Sequence, residues 1–230
     1  MKKFLTSLLS TTLVSTAILG GGTVFAATSA TQGETPVTAN LTLPKDQDVT
    51  PPTVTPDPND PNAPAVVPPT VTQQQGRGIV YYPGVQSVTA ELQESGQQNL
   101  TLQSEVHVGV KDKLRQKDAW TLTATLNWSG ANASDFTGVT VKGNNGTVQE
   151  NDGQGKLSPI TNSIVTTSAQ DLTISDTATA IMETTAGSMK DGVYDYSVKN
   201  FRINIPDASV VPAGSYTGTI DWNLAITPNP

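Results

Sequence analysis

From about residue 76 onward, apolar side chains recur at every second position in run after run. Leu100, Leu102, Val106, Val108 and Val110 fall on one face of a strand-like stretch, because successive side chains of an extended chain point to opposite faces. Trp120, Leu122, Ala124, Leu126 and Trp128 repeat the pattern, with Thr121, Thr123, Thr125 and Asn127 opposite. Val139 and Val141 follow and run into Asn144-Asn145-Gly146, a turn signal. Leu172 and Ile174 form a shorter run. Tyr194, Tyr196 and Val198 alternate, and Phe201, Ile203 and Ile205 alternate out of phase with them, which predicts a bulge or bend near Lys199 and Asn200. Tyr216, Ile220, Trp222, Leu224 and Ile226 close the pattern. A helical period appears at residues 175–189, where the spacing of Ala178, Ile181 and Met182 predicts a Thr-rich helix. Short strands separated by Gly, Asn and Asp turns predict an all-β fold, an antiparallel β-sandwich or Greek-key-like domain, over residues 76–230. A domain of roughly 150 residues buries ~70% of its unfolded surface, enough for one core.

The N-terminus carries a different signature. Lys2 and Lys3 precede an apolar run softened by Ser and Thr, and Val24-Phe25-Ala26 offers small residues at a cleavage position. Residues 1–26 therefore read as a secretory signal peptide cut after Ala26. A membrane-spanning helix demands a longer and purer apolar stretch. Residues 27–75 are polar and proline-rich, with PDPNDPNAPAVVPP at their centre. Proline removes backbone donors, so this segment is expected to be an extended or disordered linker that spaces the domain from a surface.

Composition narrows the chemistry. The chain has no cysteine and one histidine, His107. A secreted protein without disulfides depends on its own core, and the lack of cysteine fits export from a Gram-positive bacterium. One histidine removes most His-based catalysis and metal binding, so no enzyme activity, cofactor or metal is expected. His107 points away from the Val106/Val108 face and is expected to be solvated. The net charge of −7 argues against nucleic acid. Asn151-Asp152-Gly153-Gln154-Gly155 lacks the spacing and closing Glu of a calcium loop and reads as a turn. Asp57 and Asp60 sit among prolines and read as linker charges.

One triplet occurs twice: Trp120-Thr121-Leu122 in mid-domain and Trp222-Asn223-Leu224 close to the end. Tyr216, Trp222, Leu224 and Pro228 complete the distal pattern, and Val110-Lys111-Asp112-Lys113-Leu114-Arg115 lies upstream of the proximal one. On these residues the chain resembles the WxL-domain surface proteins of Gram-positive bacteria, of the small type. It departs from their pattern where a Gly is missing after Arg115. The resemblance covers the whole mature chain. It implies non-covalent attachment to cell-wall peptidoglycan at the extracellular surface. It also implies association with larger WxL proteins and a membrane-anchored companion. The chain shows no sorting signal and no second apolar span, so it is not expected to cross the membrane once the signal is removed.

Trp120, Leu122, Trp222, Leu224, Trp128 and Tyr216 are the candidate binding residues. Aromatic faces stack on sugar rings, which is the case for a glycan site. The competing role is core, because alternation puts Trp120 on one face with Leu122 and Leu126, and Trp222 on one face with Ile220, Leu224 and Ile226. Turning such a face to water forfeits ~1.5–3 kcal/mol per aliphatic side chain. Trp128, at a strand end, is the more exposed candidate. If the triplets are structural, the alternative function is a protein-interaction subunit that reaches the wall through a partner.

Overall fold

The computed structural model describes residues 35, 37–54, 66–71 and 75–229. The chain divides into a unit of residues 1–44 and a larger one, Lys45–Pro230. The signal peptide and residues 55–65 of the proline-rich run lie outside the described residues.

The larger unit is all-β, with two antiparallel sheets in a sandwich-like arrangement. Its strands are β1 (Arg77–Tyr81), β2 (Gln98–Asp112), β3 (Ala119–Ser129), β4 (Thr140–Asn151), β5 (Leu157–Pro159), β6 (Val165–Thr166), β7 (Leu172–Ile174), β8 (Thr179–Thr184), β9 (Gly192–Ile205) and β10 (Thr217–Thr227). One sheet runs β1-β2-β9-β4-β5, with β7 also on β4; the other runs β10-β3-β8-β6. The core lies between them. Val106, Val108 and Val110 of β2 pair with Val198, Tyr196 and Tyr194 of β9, so all six share the inner face. Trp120, Leu122 and Ala124 of β3 meet them from the second sheet, together with Ile181 and Met182 of β8.

Two local predictions change. Residues 175–189 contain the strand β8 and no helix. The helix-like spacing of Ile181 and Met182 comes from a bulge: β3 advances one residue from Leu122 to Thr123 while β8 moves two, from Met182 to Ala180. The extra residue turns both side chains inward, and β-branched Thr favours the extended backbone. Asn144-Asn145-Gly146 is likewise a bulge inside β4 and not a turn between strands, with Asn145 at φ 54. Asn200, at φ 51, marks the bulge predicted in β9.

The folded unit also reaches back beyond residue 76. Val49, Pro51, Pro52 and Val54 are buried. The Thr50 amide donates to the Gly153 carbonyl at 3.0 Å, and Asn151 Nδ2 donates to the Thr50 carbonyl at 3.0 Å. Pro51 and Pro52 need no acceptor, so this strap docks without a complete ladder. Its close approach needs Gly155, at φ 89, where a Cβ would lie 2.7 Å from the Pro51 carbonyl oxygen. Proline content argued for a free linker; docking on a sheet that is already formed was invisible to composition.

The covered outer face of β2 and β9 explains why the expectation of a solvated His107 fails. His107 is buried, and its Nδ1 lies 2.9 Å from Asp195 Oδ2. Tyr81 Oη donates to the other Asp195 oxygen at 2.8 Å, and Asn151 Nδ2 donates to Tyr81 Oη at 3.2 Å. The Tyr81 ring crosses Gly109, where a Cβ would come within 2.3 Å of it. These polar partners let a histidine and a carboxylate stay out of water.

Candidate functional site

The two Trp-x-Leu triplets meet in space. β3 and β10 pair antiparallel without a break, and the register sets Leu122 opposite Leu224, Ala124 opposite Trp222 and Trp120 opposite Ile226. Trp120 and Leu122 are fully buried. Trp222 and Leu224 are half-buried and pack on the same core from the sheet edge. The difference follows from position: β3 lies between two neighbours, whereas β10 ends its sheet.

Trp120 is also held by its one polar atom. Its Nε1 donates to Asp112 Oδ2 at 3.1 Å. Arg77 Nε lies 3.1 Å from that same oxygen, and its Nη1 donates to Asp118 Oδ2 at 2.9 Å. The buried Lys190 ammonium donates to the carbonyls of Asp118 and Thr185; burial lowers its pKa from the usual value. The stretch around Asp112 thus anchors the proximal tryptophan inside the fold. No sequence signal marked Arg77 as the partner of Asp112, or Lys190 as a buried cation beside Asp118, because neither lies on an apolar face.

The remaining candidates, Trp128 and Tyr216, come together elsewhere. A short 3-10 turn, Ala133–Phe136, places Phe136 between them. Phe136 stacks on Tyr216 with ring centres 4.0 Å apart and planes at 9°, and meets Trp128 edge-on at 4.6 Å and 80°. Trp128 Nε1 donates to the Val139 carbonyl at 3.1 Å, and Tyr216 Oη donates to the Pro212 carbonyl at 2.6 Å. Both polar tips are satisfied internally, so the rings are fixed before any ligand arrives. They line an open cleft of about 490 Å³, closed by Leu92, Leu100 and Ile203. That volume falls within the ~300–1,000 Å³ of small-ligand sites. Glu91 is the one charged residue among the described residues of the lining.

Neither a family model, nor a curated protein, nor a solved structure matches the chain. The reading of the site therefore rests on geometry.

The cleft is aromatic and preorganised, with Thr89, Glu91 and Ser215 adding polar groups to its lining, a mixture that suits a sugar ring, with its apolar face and its hydroxyls, or a peptide side chain. Phe136 is the residue sequence reasoning missed. It stands alone in an irregular segment, where no alternation gives it a face. The turn at Asn151–Gly155 uses its oxygens on its own backbone: Asn151 Oδ1 accepts from the amides of Gly153 and Gly155, and Asp152 Oδ1 from those of Gln154 and Lys156. It is the Gly-rich turn expected.

Proposed function

We propose that this is a non-enzymatic, secreted cell-surface protein that attaches non-covalently to bacterial cell-wall peptidoglycan through a domain of WxL type. In this reading the Trp-x-Leu triplets brace the sandwich, and the cleft of Trp128, Phe136 and Tyr216 receives the wall ligand. The observation that carries it is the fixed aromatic cluster beside an open cleft of mixed polar and apolar lining. The acidic chain, at −7, would be repelled by anionic wall polymers, which favours an uncharged glycan face over a polyanion. Larger WxL proteins and a membrane-anchored companion are the proposed partners in a surface complex.

The second reading is a protein-interaction subunit whose wall association depends on a partner. The burial of Trp120 and Leu122 makes that triplet structural in both readings, since it cannot touch a ligand without opening the core; they differ in whether the cleft or a partner makes the contact with the wall. Sedimentation of the purified protein with cell walls stripped of protein separates the two. Retention that Tyr216→Ala abolishes supports direct attachment through the cleft. Retention only on walls that keep their proteins supports the partner, and abandons the glycan site.

A further inference from the structure

The sheet edges are not alike. β5 and β6 span three and two residues. β1 is met on its open side by the Val71 amide, which donates to the Val80 carbonyl at 2.9 Å, and by a bridge between Thr70 and Tyr81. β10 is eleven residues long and pairs with β3 alone among the described residues. Its register runs without a shift, and it holds no proline, no lysine and no arginine. Natural edges are blunted by bulges, lysines, prolines or short length, and β10 has none of these. Its inner face, Gly218, Ile220, Trp222, Leu224 and Ile226, is only partly covered, with Ile226 48% exposed.

We propose that the open side of β10 pairs with β10 of a second copy of this chain, antiparallel and centred on Trp222. The strand is self-complementary about that residue. Trp222 meets its own copy, Ile220 meets Leu224, Gly218 meets Ile226, and Thr217 meets Thr227. Asp221, the one charge on the strand, falls opposite Asn223, whose amide can donate to it. No like charges face each other, so the overall −7 is not concentrated at the contact. Pairing through one patch on each copy closes with two-fold symmetry and joins two four-stranded sheets into one of eight. It also continues the apolar inner face of β10 across the joint. Tyr216 directly precedes β10, six residues from the axis, so the pair carries two aromatic clefts ~40 Å apart at about 3.4 Å per residue. That consequence for wall binding depends on the proposed function; the pairing does not.

Sedimentation equilibrium of the protein and of two solvent-face variants tests the register. Asn223→Asp sets two carboxylates across each symmetric Asp221 contact, and Asn223→Lys sets an ammonium there. The expected result is a dimer that Asn223→Asp weakens by about tenfold or more and Asn223→Lys tightens. Trp222→Cys, in a chain with no other cysteine, is expected to give an oxidised dimer, since directly opposed Cα atoms lie ~4.5–5.5 Å apart. A monomer at about 100 µM, or a dimer with one dissociation constant for all three proteins, overturns the proposal. A monomer that instead takes up an extended strand from another wall protein overturns self-pairing as well.

Discussion

Leu122 and Leu224, the last residues of the two Trp-x-Leu triplets, stand directly opposite each other across the β3–β10 ladder. One is fully buried in the centre of its sheet and the other half-buried at its edge. Equal sequence contexts therefore carry unequal energetic weight. Leu122→Ala is expected to cost ~2–5 kcal/mol through lost contacts and a cavity that cannot collapse. Leu224→Ala is expected to cost less than half as much, because water already reaches that site. Urea unfolding of the two variants measures the difference, and equal losses would contradict the edge position.

Asp112 is placed to bind Trp120 and Arg77 together. Asp112→Ala leaves the Arg77 guanidinium and the indole N–H without that partner in a water-poor site. The expected loss is ~3–5 kcal/mol, the range for breaking a buried ion pair. Trp120→Phe removes the indole N–H and leaves the ion pair. It is expected to cost ~1–3 kcal/mol, so thermal melts should rank Asp112→Ala the less stable of the two.

Trp128→Ala and Tyr216→Ala are predicted to reduce retention on protein-stripped cell walls at least tenfold, about 1.4 kcal/mol of binding. Trp222→Ala is predicted to leave retention within about twofold, because Trp222 lies outside the cleft lining. Far-UV circular dichroism distinguishes loss of binding from loss of fold. Reversed effects would return the binding role to the repeated triplet.

Three tyrosines set an alkaline limit on stability. Burial raises the hydroxyl pKa of Tyr81, beside the Asp195 carboxylate, and that of Tyr196. Tyr194 is pushed up to about 12, also by burial first. A tyrosine raised in the folded state stabilises fully below its unfolded pKa of about 10 and loses that contribution as pH rises through the folded value. Stability is thus expected to fall above about pH 10, with tyrosinate absorbance appearing together with unfolding. Ionisation of all the tyrosines before any loss of structure would count against their burial.

Legibility in the sequence followed periodicity. Alternation along Trp120 to Trp128 and Tyr194 to Val198 marked strands and their inner faces before any contact was known. It also located the bulge at Asn200, where two alternating runs fall out of phase. It failed at Ile181 and Met182, where a bulge imitates a helical period, and at Asn145, where a bulge uses the residues of a turn.

The sequence by itself determined the all-β class, the inner faces of β3, β9 and β10 and the repetition of the triplet, because a period of two is a local property of extended backbone. The tertiary structure alone decided that the two triplets face each other, that Asp112 holds Trp120, that His107 is buried against Asp195, and that residues read as linker dock on the folded unit. It also decided that Trp128, Phe136 and Tyr216 share one cleft. These facts depend on which strands become neighbours and which end a sheet. Burial, and with it the division between core and surface, is a property of that arrangement and not of any residue's own stretch of chain.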